Sequence, residues 1–377
     1  MIIWRLIIMG NQQDMYNGMP SIILKQRPFF SIIIPCYNSR ETLPKLLDSI
    51  LDQDMEDEIE VILSDDHSTE SYQDIVDKYK VALSIRQVQT EYNFAPGNTR
   101  ERGVSVAEGE WVCFADHDDE FIPDTLHTIK KEILRNNEKY YAIANFLEVN
   151  ASTGETIREM IGTRNWNHAK FYNLDNLWKA KNIHFKKDLL THEDIYISSR
   201  INCAIYELGT SPLFINTFCY IWNNRPTTIS REKYGDRTFI EVFFKDYIAS
   251  TGRVYLEQLM EGNLEPNYAY DSFIEVLLFC YFYTQGFKYR KPDTYMRENI
   301  DHAREYFKDI KRTFDGLTNK NIYDYVSRND VEMYNNVKTS AVIGVGPFIE
   351  TETFMQWMNM LHEDIQPRVT MSDTMHK

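Results

Sequence analysis

Four acidic residues lie within five positions of the stretch CFADHDDEFIP, which runs from Cys113 to Pro123. They are Asp116, Asp118, Asp119 and Glu120, and an apolar run precedes them. Burying such like charges without compensation costs several kcal/mol per ion. Aspartate oxygens at positions one and three suit Mg²⁺ or Mn²⁺, with phosphate oxygens of a substrate completing the coordination shell. The spacing therefore favours a divalent-cation site that also receives a diphosphate.

Two other uses of such a cluster fail on spacing, and a third stays open. A calcium-binding EF-hand loop counted from Asp116 needs glycine at its sixth position and glutamate at its twelfth, where Phe121 and His127 stand. An aspartyl-phosphate phosphatase needs threonine at the fifth position, which Glu120 occupies. The remaining alternative is a solvated loop whose acids cap the following helix.

Alternating strands and helices position this cluster. Buried strands are predicted in FFSIIIPCYN (residues 29–38), at residues 59–63 and in EWVCFAD (residues 110–116), with amphipathic helices between them. This alternation is typical of an α/β fold with a parallel sheet covered on both faces. Each strand ends in polar residues, so Asn38, the Asp65–Asp66 pair and the acidic cluster should meet at one sheet edge, where such folds bind ligands.

Beyond residue 123 the regular alternation of strands and helices is lost. A helix is predicted in TLHTIKKEILRN and a strand in YYAIANFLEVN, and from about residue 236 the sequence is mainly helical and aromatic. The apolar N-terminus MIIWRLIIMG is too short to span a bilayer and contains Arg5. We expect it to form an extra strand or to stay disordered, and we expect at most peripheral membrane contact.

Composition excludes some function classes. The chain has 377 residues, a formal net charge of −15 and 43% hydrophobic residues, which indicates a globular protein that is a poor general binder of nucleic acid. Its five cysteines have no C-x-x-C spacing, which argues against a disulfide framework or a zinc site. Scattered cysteines suit a reducing cytoplasm.

Several segments together resemble the family 2 inverting glycosyltransferases of the GT-A fold, of the type that builds bacterial surface polysaccharides. The similar segments are SIIIPCYNSRETLPKLLDSILDQ, EVILSDDHSTE, GNTRERGVSVAEGEWVCFADHDDEFIP, HAKFYNLDNLWKAKNIHF, THEDIYISSR and CYIWNNRPTTISR, in this order. They cover about residues 29–232. Glu101 and His67 depart from the family pattern, which has asparagine and glycine there.

The resemblance implies a Rossmann-like, mostly parallel central sheet flanked by helices, with a mainly helical C-terminal region. We expect an N-terminal extension at residues 1–27, a GT-A domain at 28–235 and a helical region at 236–377. Within the domain, residues 28–120 would form the nucleotide-binding half and residues 121–235 the acceptor half. The C-terminal region could also join two subunits in a homo-oligomer.

The first two strand ends are implied to hold the nucleotide of a sugar donor. Pro35, Tyr37 and Asn38 would form the wall of the pocket, with a simple strand-end turn as the alternative. Asp66 would accept a hydrogen bond from the base. Either Asp66 or Asp65 could instead cap the helix that begins near residue 68.

The acidic cluster is implied to hold the rest of the donor. Arg100 would bind ribose or pyrophosphate, which its planar guanidinium suits. Asp116 would contact the ribose or sugar. Asp118, with Asp116, would hold Mn²⁺ or Mg²⁺ against the diphosphate, as the D-x-D motif of the family does. Asp119 and Glu120 are expected to start a helix or to support the other acids.

The E-D pair is implied to supply the catalytic base. Asp194 would remove the proton from the acceptor hydroxyl, with Glu193 as the adjacent candidate. The alternative is a pair of acids that favours a helix N-terminus through the helix dipole. Four further residues could contact the acceptor or diphosphate: Lys170, His192, Trp222 and Arg225.

The expected activity is therefore transfer of a hexose or N-acetylhexosamine, from a UDP-sugar, to a hydroxyl of a glycan, a teichoic-acid-like polymer or a lipid-linked saccharide. A nucleotide-sugar or glycan-binding module without turnover is the main alternative. A nucleotidyltransferase, which would release diphosphate from a nucleoside triphosphate, is a third. The resemblance implies a cytoplasmic enzyme of cell-envelope polysaccharide biosynthesis.

Overall fold

The computed structural model describes residues 27–225, except residues 94, 165, 187–188 and 190–192, together with residues 250–266, 268–269 and 272. The predicted N-terminal extension up to residue 26 and nearly all of the predicted helical C-terminal region lie outside the described residues, as does the predicted boundary at 235/236. Both predicted halves of the GT-A domain contribute strands to one nine-stranded sheet.

The nine strands follow the order β3-β2-β1-β4-β8-β6-β9-β5, with β7 paired to β6. Their bounds are β1 Phe30–Cys36, β2 Ile59–Asp65, β3 Ser84–Gln89, β4 Trp111–Phe114, β5 Glu120–Phe121, β6 Tyr141–Asn150, β7 Thr156–Met160, β8 Lys170–Asn173 and β9 Leu213–Asn224. The half containing β3, β2, β1 and β4 is parallel, as expected from its βαβ pattern. The other half is mixed, because β8 runs antiparallel to β4 and β6 while β9 runs parallel to β6.

Helices cover this sheet and connect its strands. They are α1 Leu43–Leu51, α2 Gln73–Tyr79, α3 Pro96–Val104, α4 Thr125–Arg135, α5 Glu193–Glu207 and α6 Ser250–Met260, with a π-helical turn at Leu174–Lys179. Buried β-branched and aromatic residues of β1, β2 and β4 form the centre of the core, which suits strands covered on both faces. The parallel βαβ units require this cover, since a parallel pair needs a crossover connection.

Two glycines allow the chain to pack closely against β1. A Cβ at Gly103 of α3 would lie 2.4 Å from Cγ2 of Ile33, so the helix can approach the strand only without a side chain there. A Cβ at Gly109 would lie 2.7 Å from the backbone N of Ser31. Helix α3 ends at Val104, and Gly109 lies beyond it, against β1.

Strand ends of the parallel half meet at one edge, as predicted. Cys36 pairs with Asp65 and Ile33 with Phe114, so the loops after β1, β2 and β4 emerge side by side. Among the residues described, no helix is both long enough and apolar enough to cross a membrane. The four described cysteines are buried free thiols.

Candidate active site at the carboxyl edge of the sheet

The loops after β1 and β2 are held together by side chains of the predicted nucleotide pocket. Asn38 has a left-handed backbone (φ 48°), and its Oδ1 accepts hydrogen bonds from N and Oγ1 of Thr69, each 3.0 Å long. Asn38 therefore fixes the loop geometry, which also accounts for an asparagine at this φ. Next to it, the Tyr37 side chain is exposed at 48%, while Pro35 lies within β1. The predicted contact of Tyr37 with a nucleotide stays a prediction.

Asp65 and Asp66 have different partners. Asp65 Oδ1 accepts from the backbone N of Ser68 at 2.9 Å, so Asp65 holds the turn before α2. Asp66 is buried, and its Oδ1 accepts from Thr90 Oγ1 at 3.0 Å. Helix α2 begins only at Gln73 and has no side-chain cap, so neither aspartate caps it. The predicted contact of Asp66 with a base stays a prediction.

Tyr220 and Asn223 of β9 hold the acidic loop in place. Tyr220 OH accepts from the backbone N of Asp116 at 2.9 Å and donates to Asp119 Oδ2 at 2.8 Å. The backbone N of Asn223 donates to Asp119 Oδ1 at 2.8 Å, and its Nδ2 donates to the carbonyl of Asp118 at 3.0 Å. Burial raises the pKa of Asp119 well above its usual value, and neighbouring Asp116 and Asp118 add to this. Asp119 therefore supports the loop from inside.

Arg100 joins the acidic loop to helix α5. Its Nη2 donates to Asp116 Oδ1 at 2.6 Å and its Nη1 donates to Glu193 Oε1 at 2.7 Å, while the arginine side chain is only 7% exposed. Burial raises the pKa of Asp116, but the charge and hydrogen bond of Arg100, together with His168 and His117, lower that pKa overall. Arg100 lies on α3, where Gly97 allows close approach because a Cβ there would lie 3.2 Å from Cβ of Glu193. The predicted contact of Arg100 with ribose or pyrophosphate stays a prediction.

Asp118 and Glu120 face different partners. Arg225 Nε lies 3.3 Å from Asp118 Oδ2, and the Asp118 side chain keeps 24% exposure. Burial raises the pKa of Asp118, and the charge of Asp116 reinforces this. Glu120 belongs to β5 and pairs with Lys45 at 2.6 Å. Helix α4 begins only at Thr125, so the acids of the cluster do not start a helix.

Asp194 lies in the first turn of α5, beside Glu193. Its Oδ1 accepts from the backbone N of Ile195 at 2.8 Å. Burial raises the pKa of Asp194 to about 8, with a further rise from the charge of Glu193. Asp116 and Arg100 also act on this pKa, which places Asp194 in the same electrostatic cluster as the acidic loop. A carboxyl with a pKa near neutrality is a better proton acceptor than an ordinary aspartate.

The additional predicted contacts divide between buried and partly exposed positions. Lys170 is fully buried on β8, and its Nζ donates to the carbonyl of His168 at 3.0 Å. Burial lowers the pKa of Lys170 to about 7, which Cys219 and then Asp194 partly counteract. Trp222 is partly exposed and stacks on His168, with ring centroids 5.7 Å apart. His192 lies outside the described residues.

The chemistry of the donor set fits a divalent cation bound by Asp116 and Asp118. Both carboxylates keep solvent access, at 32% and 24% exposure of their side chains. Burial is the main reason why the pKa values of Asp118, Asp119 and Asp194 are raised, and neighbouring carboxylates raise them further, a repulsion that a cation would relieve. Oxygen ligands suit Mg²⁺ or Mn²⁺.

A second group of possible metal ligands is already engaged in contacts within the protein. Asp116, Asp119 and His168 have ligand atoms within 4.8 Å of one another. However, both Asp119 oxygens already accept hydrogen bonds from β9, and the His168 ring stacks between Tyr220 and Trp222. Burial lowers the pKa of His168 to about 4, so this ring is neutral at pH 7.

Sequence reasoning missed Tyr220, Asn223 and His168 as parts of the site. CYIWNN was noted only as the start of the family-like segment CYIWNNRPTTISR, whereas residues 219–224 belong to strand β9. The sequence did contain a signal for this strand, namely an apolar and aromatic run that ends in asparagines. The same pattern identified the ends of the other predicted strands. The partnership with Asp119 could not be seen, because it joins residues 101 positions apart.

Known proteins support the resemblance noted in the sequence. The family model described as glycosyl transferase family 2 matches residues 31–190. The poly(ribitol-phosphate) beta-N-acetylglucosaminyltransferase TarS of Staphylococcus aureus is 23% identical over 326 residues, covering 82% of this chain and 55% of TarS. A poly(ribitol-phosphate) beta-glucosyltransferase of Bacillus spizizenii is 38% identical over 92 residues, covering 24% of this chain and 14% of that protein.

A solved structure shares the fold. The crystal structure of S. aureus TarS 1-349 in complex with UDP-GlcNAc has a TM-score of 0.61 and 22% identity, covering 85% of this chain and 93% of that one. This chain thus spans about half the length of full TarS. The similarity confirms the predicted fold class over the described residues, namely a sheet flanked by helices with the architecture seen in TarS.

Proposed function

Because residues 31–190 of this chain form a family 2 glycosyltransferase domain of GT-A fold, we propose that the protein is an inverting, metal-assisted glycosyltransferase. Its donor would be a uridine diphosphate sugar carrying a hexose or N-acetylhexosamine. Its acceptor would be a hydroxyl of a bacterial surface polymer. The observation that carries the proposal is the link from the acidic loop through Arg100 to α5, which brings Asp194 into the electrostatic cluster of Asp116.

On the donor side, the strand-end residues supply complementary groups. The exposed ring of Tyr37 would pack against the nucleoside beside Pro35 and Asn38, and Asp66 would accept an N–H of the base. Asp116 and Asp118 would hold the divalent cation. When bound, this cation supplies Lewis-acid neutralisation of the charge that develops on the leaving diphosphate. Arg225, beside Asp118, adds a fixed positive charge at the same place.

On the acceptor side, Asp194 is a better candidate base than Glu193. Glu193 Oε1 accepts a charged hydrogen bond from Arg100 at 2.7 Å, so this carboxylate already has a partner within the protein. Asp194 has a pKa raised to about 8 by burial, so it takes up a proton readily near neutral pH. Its carboxylate would remove the acceptor's hydroxyl proton as that oxygen bonds to the anomeric carbon. The bond from this carbon to the diphosphate oxygen breaks on the opposite face, which inverts the configuration.

The acceptor class is supported by the relatives. Two of them are named as poly(ribitol-phosphate) glycosyltransferases, which favours a polyol-phosphate or related polymer as the acceptor. Partly exposed Trp222 offers an aromatic surface for such a chain, and His192 and Lys170 are the other candidates for contact with acceptor or diphosphate. Free, buried thiols at the four described cysteines suit a cytoplasmic location, with at most peripheral membrane contact.

Incubating the purified protein with a panel of nucleotide sugars tests this proposal. With Mn²⁺ or Mg²⁺, a UDP-sugar should be hydrolysed slowly alone and transferred faster when a poly(polyol phosphate) acceptor is added. Release of UDP would be measured by a coupled assay, and the product anomer by NMR. Asp118→Asn should lose most of the activity, and Asp77→Asn, which changes a surface aspartate paired with Lys80, should keep it. If no donor is bound or turned over, or if Asp118→Asn matches the wild type, the proposal is wrong.

A further inference from the structure

Asn167 is a buried amide whose polar atoms have no protein partner among the described residues. Its side chain is 5% exposed, and neither Oδ1 nor Nδ2 makes a hydrogen bond there. Leaving a buried donor or acceptor unsatisfied is costly, and such groups are few in native proteins. Thr163, four residues earlier in the chain, also has a buried polar atom without a partner, its Oγ1. The buried amide of Asn167 therefore does not stabilise the fold through hydrogen bonds to the described residues, which indicates a role in binding a ligand.

The chain around Asn167 is fixed on both sides by residues of the candidate active site. Next to it, His168 Nδ1 lies 3.8 Å from Asp119 Oδ2 in the acidic loop. On the other side, Ser198 Oγ donates to the carbonyl of Arg164 at 2.7 Å and lies 2.8 Å from the carbonyl of Asp194. The segment thus bridges the acidic loop and the helix that carries the proposed base.

The chemistry of this position selects the ligand. A primary amide offers one acceptor and two donors and carries no charge, which complements a hydroxyl that both donates and accepts. Trp222, which is partly exposed and stacks on the adjacent His168, adds an aromatic surface of the kind that sugar rings pack against.

We propose that Asn167 binds a sugar or polyol hydroxyl of a substrate through both ends of its side-chain amide and thereby sets carbohydrate selectivity. This inference rests on the proposed glycosyltransferase function. The hydroxyl belongs either to the donor sugar or to the acceptor, and the two sources are separable by measurement. A substrate group would satisfy the amide only in the bound state, which suits recognition better than folding.

The variant Asn167→Leu, of similar size but apolar, tests the assignment. Since no protein hydrogen bond is lost, its melting temperature should equal or exceed that of the wild type. Asn173→Leu is the matched control, because Asn173 is equally buried at 5% but accepts from the backbone N of Asn176 at 2.8 Å. The control should be destabilised by the loss of that hydrogen bond.

Binding and kinetics then separate the two sources. If the hydroxyl is on the donor, the variant should bind UDP like the wild type but bind the UDP-sugar roughly tenfold more weakly, as loss of one or two neutral hydrogen bonds predicts. If it is on the acceptor, both donor affinities stay unchanged and the KM for the acceptor rises by a similar factor.

Three results would overturn the assignment. Destabilisation of Asn167→Leu as large as that of the control would make Asn167 a structural residue, bonded through water. Wild-type affinities and KM in a stable variant would show that Asn167 touches no substrate. A wild-type protein that neither binds nor turns over a nucleotide sugar would instead refute the proposed function, and this inference with it.

Discussion

Replacing Arg100 by glutamine should be far more damaging than its single position suggests. Arg100 is 7% exposed and makes two charged hydrogen bonds, of 2.6 Å to Asp116 and 2.7 Å to Glu193. Charged hydrogen bonds contribute about 1.5–3 kcal/mol each, and removing one partner of a buried ion pair costs about 3–5 kcal/mol. We therefore expect Arg100→Gln to lower the free energy of unfolding by about 3–5 kcal/mol, because two carboxylates lose their counter-ion.

Arg40 supplies the matched control for this prediction. It also pairs with two carboxylates, Glu70 and Asp74, but those acids are 73% and 67% exposed. Solvent-exposed pairs contribute about 0–1 kcal/mol, so Arg40→Gln should cost no more than that. The comparison isolates burial, because residue type, substitution and number of acidic partners are the same.

Urea unfolding followed by tryptophan fluorescence measures both variants at pH 7.5. Adding Glu193→Gln to Arg100→Gln should restore part of the lost stability, since one of the stranded charges is then removed. The reasoning is refuted if Arg100→Gln is no less stable than Arg40→Gln. It is also refuted if the double variant is less stable than the sum of the single effects predicts.

Three further predictions follow from the charges and packing of the site. Activity, measured as kcat/KM, should rise with pH through the pKa of Asp194. Glu193→Gln should shift this rise to lower pH, because the charge of Glu193 raises the pKa of Asp194. An unchanged pH profile would contradict the assignment of Asp194 as the base. A chelator such as EDTA should abolish transfer, and adding Mn²⁺ or Mg²⁺ should restore it, with Ca²⁺ less effective. Undiminished transfer in EDTA would show that no metal takes part. Gly109→Ala should destabilise the protein by about 1–3 kcal/mol, since its Cβ would lie 2.7 Å from the Ser31 backbone N, and a wild-type melting temperature would show that the strand can shift.

The parallel half of the sheet could be predicted because its signals are local. Buried β-branched runs ending in polar residues identified β1, β2 and β4, and parallel pairing then placed Asn38, Asp66 and Asp116 at one edge. The family resemblance pointed to the same edge. The family 2 model matches residues 31–190 and the fold class is confirmed over the described residues, while the individual site roles remain proposals.

What the sequence could not reveal depends on pairings between distant residues. The antiparallel strand β8 inserts between β4 and β6, which turns the second half of the sheet into a mixed one. The partners of Asp119 lie about one hundred residues away on β9, and Glu193 lies 93 residues from Arg100. Residue spacing in the sequence does not predict such contacts, because they depend on the order of the strands in the sheet.

The central claim is that Asp194 of α5 acts as the catalytic base beside the acidic loop. The most direct test measures donor binding and turnover together in the variant Asp194→Asn. Calorimetry with Mn²⁺ and the best UDP-sugar should give a wild-type affinity, because Asp194 is assigned to the acceptor. Turnover should fall by about 10²-fold or more, the contribution expected of a positioned general base. Full turnover with intact binding would contradict the account, and loss of donor binding would place Asp194 on the donor side instead.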